Sequence, residues 1–188
     1  MLQIAANGND PAIRFAPNHA NPIVGKEKNS PLGAARQTYL ELAPGPYAQS
    51  SSLAIGNGIC IVDTGFQANS GLQIFYGINL SGVEVPMGLN LGAYSGLQLN
   101  FAGLASAEGL NVIIEIDPSS GGYYESVASL NTGVNAFSVG FPFSSFLRGG
   151  SGVPLTAAEV SDINYIVIIF DGTGSTDSFG ITSFQAVN

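Results

Sequence analysis

The stretch Asn111-Val112-Ile113-Ile114-Glu115-Ile116-Asp117 decides the fold class, because its side chains alternate in the way that a half-buried strand requires. Val112, Ile114 and Ile116 occupy every second position, and the carboxylates of Glu115 and Asp117 fall between them. Successive side chains of a β-strand point to opposite faces. The segment is therefore predicted to be a strand with one buried face and one acidic face.

Three further segments repeat this alternation and predict more strands with one buried face. Their apolar positions are Leu72, Ile74 and Tyr76, then Leu97, Leu99 and Phe101, and finally Phe137, Val139 and Phe141. The run from Tyr165 to Phe170 is apolar at successive positions, which predicts a central strand covered on both sides. The pair Asn57-Gly58 predicts a tight hairpin, since Asn and Gly tolerate positive φ angles.

Helices are predicted to be short. Thr156 and Glu159 have the spacing of a capping box, which indicates one helical turn. The other segments after Thr38 are short β-prone runs separated by turn residues. Together they predict an all-β domain, an antiparallel two-sheet jelly-roll β-sandwich.

The first part of the chain has a different character. Residues 1–35 lack periodicity and contain four prolines among many Asn and Gly residues. This segment is predicted to be an extended N-terminal arm, and residues 36–188 are predicted to be the β-sandwich domain.

Composition narrows the partners that the chain can bind. Only 10% of the 188 residues are charged, against about 25% in an average domain, and the net charge is −8. The five basic residues are scattered along the chain: Arg14, Lys26, Lys28, Arg36 and Arg148. Nucleic acid and anionic membrane surfaces both require clustered positive charge, so neither is expected as a partner.

The N-terminus and the cysteine usage bear on localisation. No basic residue precedes Arg14 and no long apolar run follows Met1, so a signal peptide is not expected. The chain is then either a trimmed export product or a protein released by lysis, and we expect it outside the cell, on a virion or cell surface. Cys60 is the only cysteine, so no intrachain disulfide can form.

Four segments together resemble a known kind of bacterial domain. They are Gly33-Ala34-Ala35-Arg36, the run from Gly71 to Gly77, Phe141-Pro142-Phe143-Ser144-Ser145-Phe146, and the run from Val160 to Ile166. The domain occurs in secreted proteins, many with a PEP-CTERM sorting tail, and is similar to galactose-binding-like and carbohydrate-binding jelly rolls. The resemblance covers about residues 33–187 and implies the fold; it transfers no ligand-binding residue.

Two motifs resemble parts of catalytic sites. Asp63-Thr64-Gly65 matches the triplet of aspartic proteases, but no second copy occurs in the chain, and the triplet is also ordinary turn chemistry. Glu115-Ile116-Asp117 resembles the start of the catalytic strand of laminarinase-like glycosidases. Ser119 and Ser120 stand where that mechanism needs a second glutamate. The chain is therefore not expected to be an enzyme.

No cofactor is expected, and metal binding has one candidate site. Asp171 and Asp177 flank a Gly/Ser/Thr loop and are candidate calcium ligands, although the spacing matches no EF-hand. A plain hairpin loop is the favoured interpretation. His19 is the only histidine and cannot form a zinc site by itself.

Two hypotheses of function follow from these observations. The first is a non-catalytic assembly protein, a decoration or cement subunit of a virus particle or other extracellular assembly, which binds protein neighbours and forms homo-oligomers. The alternative is a carbohydrate-binding module that binds polysaccharide. Exposed tyrosine rings would serve either surface. The candidate contacts are Tyr47, Tyr94, Tyr123 and Tyr124.

Overall fold

A computed structural model describes most of the chain. The described residues are 3–4, 10–14, 23–27, 36–42, 52–56, 59–66, 70–77, 83–105, 110–131, 133, 135–172 and 177–188. Side chains are described within 74–77, 83–104, 110–131, 133, 135–170 and 179–188.

These residues form fourteen strands, one turn of α-helix and one turn of 3-10 helix. The strands are β1 (Gln3–Ile4), β2 (Asp10–Arg14), β3 (Ile23–Glu27), β4 (Arg36–Leu42), β5 (Ser52–Gly56), β6 (Ile59–Phe66), β7 (Ser70–Tyr76), β8 (Gly96–Ala105), β9 (Leu110–Pro118), β10 (Tyr124–Leu130), β11 (Phe137–Pro142), β12 (Leu147–Arg148), β13 (Ile163–Gly172) and β14 (Asp177–Val187). The α-helix is α1 (Ala157–Val160), and the 3-10 turn spans Phe143–Ser145.

The strands build two antiparallel sheets of seven strands each. The first sheet has the order β11-β8-β14-β6-β5-β2, with β1 also pairing with β14. The second sheet has the order β12-β10-β9-β13-β7-β4-β3. One core cluster takes residues from both sheets, so the predicted two-sheet jelly-roll sandwich is confirmed.

Alternating burial explains why these segments form strands. On β8 the predicted positions Leu97, Leu99 and Phe101 are buried, with exposures of 1% or less. The central strand β13 buries residues on both of its faces, as its apolar run predicts, and it lies between β9 and β7. Aromatic rings join the sheets: Phe101 on β8 meets Phe170 on β13 edge to face at 6.5 Å.

Parts of the predicted N-terminal arm lie within the sheets. Gln3 and Ile4 pair with β14, β2 pairs with β5, and β3 pairs with β4. The sequence signal is weak because these strands are short and their apolar residues are irregularly spaced. Backbone hydrogen bonds to neighbouring strands stabilise them although their side-chain pattern is weak, and β2 and β3 also cover β5 and β4, which would otherwise be edge strands. The remaining residues of 1–35 lie outside the described residues.

Several local predictions can be checked directly. The capping box of α1 is confirmed, since the Thr156 hydroxyl accepts from the Glu159 N–H and the Glu159 carboxylate accepts from the Thr156 N–H. Asn57 and Gly58 lie outside the described residues, but the strands that they join pair with Gly56 opposite Ile59. Asp63-Thr64-Gly65 lies inside β6 and not in a turn. Within the described part of the chain, no helix has the length and apolarity to cross a membrane.

Candidate ligand-binding face

The outward side of the second sheet gathers acidic residues from neighbouring strands. Exposure alternates along β9, so Glu115 and Asp117 are half-buried on the side away from the core. Strand pairing places Glu125 of β10 and Val167 of β13 on either side of Glu115. Directly paired residues point to the same face, with Cβ atoms about 4.5–5.5 Å apart. Two glutamates are therefore adjacent across the strands.

Two tyrosines lie on or beside the strands that flank β9. Tyr165 of β13 pairs with Asp117, and its hydroxyl hydrogen-bonds to Glu84. On β10 the last residue paired with β9 is Tyr124, opposite Ile116, and the exposed Tyr123 comes directly before it. We call this surface the acidic face. It comprises Glu84, Glu115, Asp117, Tyr123, Glu125 and Tyr165.

The position of Tyr123 is set by the turn that connects β9 to β10. Gly121 and Gly122 have φ angles of 88° and 85°, which L side chains rarely adopt, so the turn depends on glycine. The Gly149 N–H donates to the Tyr123 carbonyl at 3.0 Å, and any side chain at position 149 would overlap the Tyr123 ring. The ring therefore lies over bare backbone and is 43% exposed.

Burial and mutual repulsion raise the carboxyl pKa values on the acidic face. Burial, followed by the charges of Asp117 and Glu125, raises the pKa of Glu115 to about 7. Burial, followed by the charge of Glu84, raises the pKa of Asp117 to about 6. Both causes favour the neutral form of a carboxyl group. These groups therefore change protonation close to neutral pH.

One carboxylate oxygen of Asp117 has no hydrogen-bond donor among the described residues. This oxygen, Oδ1, is buried. Arg148, the one basic residue whose side chain is described, lies elsewhere, 6.0 Å from the centre of the Tyr124 ring. A buried acceptor without a donor costs about 1–3 kcal/mol, which disfavours the charged form of Asp117.

The four predicted tyrosine contacts have different environments. Tyr123 is exposed on the acidic face, and Tyr94 is half-buried beside the first sheet. Tyr124 is 2% exposed and donates its hydroxyl to Glu159 at 2.6 Å, so it offers no ring face to a ligand. Its selection as a stacking candidate was wrong, because its alternating position on β10 directs it into the core. Tyr47 lies outside the described residues.

The two candidate calcium ligands, Asp171 and Asp177, lie on consecutive strands. Asp171 belongs to the end of β13 and Asp177 begins β14, so they lie on the two strands that the 173–176 segment connects. Their side chains and that segment lie outside the described part of the structure. Among the described residues, no group of three or more His, Cys, Asp or Glu side chains could hold a metal ion.

Sequence reasoning missed three members of the acidic face: Glu84, Glu125 and Tyr165. Tyr165 was taken only as part of the apolar run of β13, although its hydroxyl could have marked it as a residue that needs a polar partner. Glu125 carries no motif, and only strand register brings it beside Glu115. The predicted outward position of Glu115 and Asp117 is confirmed.

Comparison with known proteins yields similarity of fold only. No protein-family model matches the chain, and no curated protein matches it. Among solved structures, PfGH50B is 16% identical over 73% of this chain, with a TM-score of 0.45. This chain spans about a fifth (21%) of the length of PfGH50B.

Two smaller structures are covered almost completely. The family 11 carbohydrate-binding module from Clostridium thermocellum, in complex with a β-1,3-1,4-mixed-linked tetrasaccharide, is 11% identical over 94% of this chain and 95% of its own, with a TM-score of 0.44. The family 12 xyloglucanase from Bacillus licheniformis, in complex with a ligand, is 9% identical over 94% of this chain and 98% of its own, with a TM-score of 0.48.

Proposed function

We propose that this chain is a non-catalytic carbohydrate-binding module, part of a secreted or cell-surface bacterial protein, which holds a neutral polysaccharide on the acidic face. One observation carries the proposal: Asp117 pairs with Tyr165 across β9 and β13, and the exposed Tyr123 lies at the start of the neighbouring strand β10. A carboxylate and phenol rings on one surface offer both the polar and the apolar contacts that a sugar ring needs.

The chemistry of a sugar matches each part of this arrangement. Sugar hydroxyls are donors, and the half-buried carboxylates of Glu115 and Asp117 would accept hydrogen bonds from them. The C–H faces of pyranose rings are apolar and pack on aromatic rings, and Tyr123 exposes 43% of its surface for this purpose. The acidic face and the net charge of −8 would repel an anionic chain, so the ligand should be uncharged.

The assembly role expected from the sequence stays a prediction. The assembly hypothesis rested in part on residues 1–35 being an arm outside the sandwich. Parts of residues 1–35 instead pair with strands of both sheets. The similarities to solved structures favour the carbohydrate-binding alternative over a virion role.

Native affinity electrophoresis tests the proposal, because a chain of net charge −8 migrates well in a gel that contains dissolved polysaccharide. Mixed-linked β-glucan and xyloglucan should retard the parent, while alginate should not. Tyr123→Ala should weaken binding about 5-fold or more, since a stacked ring contributes about 1 kcal/mol. Asp117→Ala should also weaken binding. Asn135→Ala, an exposed change just before β11, is the control and should bind as the parent does.

Two results would contradict the proposal. One is equal migration of the parent with and without every neutral polysaccharide in the panel. The other is retardation that neither Tyr123→Ala nor Asp117→Ala reduces, which would place the ligand elsewhere.

A second candidate function, hydrolysis of the bound polysaccharide, is favoured by the Glu115 and Glu125 pair. Retaining glycosidases hold two carboxyl groups about 5–5.5 Å apart, and an acid with a pKa of about 7 can protonate a leaving group. Against it, Ser119 and Ser120 follow β9 where the laminarinase-like pattern has a second glutamate, and they bond Asp162 and Glu159.

Release of reducing ends from mixed-linked β-glucan separates binding from hydrolysis. We expect no release by the parent or by Glu115→Gln. Release by the parent that Glu115→Gln abolishes would show that the module is an enzyme.

A further inference from the structure

The first sheet has a pocket on its outward side. The acidic face lies on the second sheet, so the pocket is separate from it. The pocket has a volume of about 400 Å³ and is lined by Tyr94, Gln98, Gln185, Ala186, Val187 and Asn188. This volume lies within the range of about 300–1,000 Å³ that small-molecule sites occupy. It is large enough for one or two sugar rings.

Backbone pairing holds the pocket in shape before any ligand arrives. Gln98 of β8 is paired directly with Gln185 of β14, so their side chains point to the same side of the sheet. The segment that carries Tyr94 is tied to the end of β14, because the Ser95 N–H donates to the Val187 carbonyl at 2.8 Å. A preformed site loses little conformational entropy when it binds.

A hydrogen-bond network fixes the orientation of the Gln98 amide. Gln98 Nε2 donates to Asn100 Oδ1 at 2.7 Å, and Asn100 Nδ2 donates to Ser183 Oγ at 2.6 Å. Ser138 Oγ donates to the same Asn100 oxygen at 2.5 Å. Gln98 therefore keeps its carbonyl oxygen and one N–H for the pocket, since a primary amide has two donors and a carbonyl acceptor.

The other amide of the pair, that of Gln185, makes no hydrogen bond with any described residue, although the side chain is half-buried. None of the six lining side chains carries a charge at neutral pH. Paired donors and acceptors beside a phenol ring suit a neutral polyhydroxylated ring, whereas a charged ligand would find no counter-charge among these side chains.

We propose that this pocket is a second sugar-binding site, which takes one or two uncharged sugar residues, such as a chain end, a monosaccharide or a disaccharide. It uses different residues from the acidic face and does not depend on the function proposed there. If both sites bind, the two sides of the sandwich hold separate saccharide chains and the module links them.

Titration of the ¹⁵N-labelled chain with glucose, galactose, xylose and cellobiose tests this proposal by NMR. We expect millimolar binding of at least one sugar, with shifts of the Gln98 and Gln185 side-chain amide signals. Gln185→Ala and Tyr94→Phe should each weaken that binding. Tyr94→Ala should weaken it about 5-fold or more, with retained strand signals as proof of folding. Asn135→Ala, an exposed change outside both sites, is the matched control and should leave the binding unchanged.

Two outcomes would overturn the second site. In one, no sugar shifts the Gln98 and Gln185 signals at concentrations of tens of millimolar. In the other, the shifts occur only around Tyr123 and Asp117 and disappear in Tyr123→Ala, so that short sugars bind only at the acidic face. Binding of polysaccharide at the acidic face is tested separately, by the migration of the chain in gels that contain polysaccharide.

Discussion

Glu159 shows how one side chain can serve both local and distant structure. Its carboxylate accepts from the Thr156 N–H at 2.9 Å and from the Thr156 hydroxyl at 2.6 Å. The other oxygen accepts from the buried Tyr124 hydroxyl at 2.6 Å. The Thr156 and Tyr124 hydrogen bonds lower the pKa of Glu159 to about 2. The local half of this arrangement could be predicted from the sequence spacing, but the contact with Tyr124, 35 residues away, could not.

Replacing Glu159 with Gln should destabilise the fold by about 1 kcal/mol, because a neutral amide makes weaker hydrogen bonds with the cap and with Tyr124. Urea unfolding followed by circular dichroism measures the loss. Ser120→Ala is the control, since it removes only a 3.3 Å contact with Glu159 and should change stability little. Equal stability of Glu159→Gln and the parent would show that the carboxylate charge is unimportant there.

At the level of elements, an aromatic cluster couples the two sheets. Phe101 of β8 stacks on Phe137 of β11 at 4.8 Å, meets Phe170 of β13 at 6.5 Å and lies 6.4 Å from Phe179 of β14. Phe101→Ala should therefore lower the free energy of unfolding by about 3 kcal/mol or more. Phe137→Ala, at a half-buried position, should cost less. Denaturant unfolding compares the two variants, and an equal loss would contradict a central role for Phe101.

The strands of residues 1–35 show where sequence patterns are too weak to predict an element. The side-chain alternation of β9 reveals a strand without knowledge of its neighbours. In contrast, β1 has two residues and β3 contains Gly25, Lys26 and Glu27, so neither has an apolar face that identifies it. The partner of β1 is β14, which is distant in sequence. The partner of β3 is β4, and the residues between them have no periodic pattern. Pairing of this kind depends on backbone groups that every sequence has.

Deleting residues 1–35 should lower the melting temperature, since it removes strands from both sheets and leaves β4 and β5 as new edges. Deleting only residues 1–9 removes the two-residue strand β1 and should have a smaller effect. Differential scanning calorimetry gives the melting temperatures, and light scattering detects association through the new edges. A 36–188 chain that melts at the temperature of the parent would show that these strands contribute nothing to stability.

On the scale of the whole molecule, the apolar core between the two sheets separates two different outward surfaces, the acidic face and the pocket beside Tyr94. The sequence predicted that Glu115 and Asp117 point away from the core, because alternation is a local property. It could not predict that Glu125 and Tyr165 lie beside them, since strand register is set by contacts between distant segments. The pocket beside Tyr94 has the same origin, in the pairing of β8 with β14.

The acidic face should make the stability of the whole chain depend on pH. The pKa of Glu115 is raised from 4.5 to about 7 and that of Asp117 from 3.8 to about 6, so the folded state binds more protons than the unfolded state between about pH 4 and pH 7. Stability contributed by these groups is therefore present at the acidic end of that window and lost as pH rises through it. Both groups are half-buried, so solvent screening reduces the effect to about 1 kcal/mol.

Melting temperatures at about pH 5 and about pH 8 measure this dependence, and the parent should melt at the lower temperature at the higher pH. Glu115→Gln should raise the melting temperature at about pH 8 and flatten the dependence, because the amide cannot ionise beside Asp117 and Glu125. Glu159→Gln is the control: the pKa of Glu159 is lowered from 4.5 to about 2, so its own titration lies below about pH 5, and this variant should shift the curve with little change of slope between about pH 5 and about pH 8. If the parent is more stable at the higher pH, or if Glu115→Gln keeps the full dependence, repulsion on the acidic face does not control the stability of the fold.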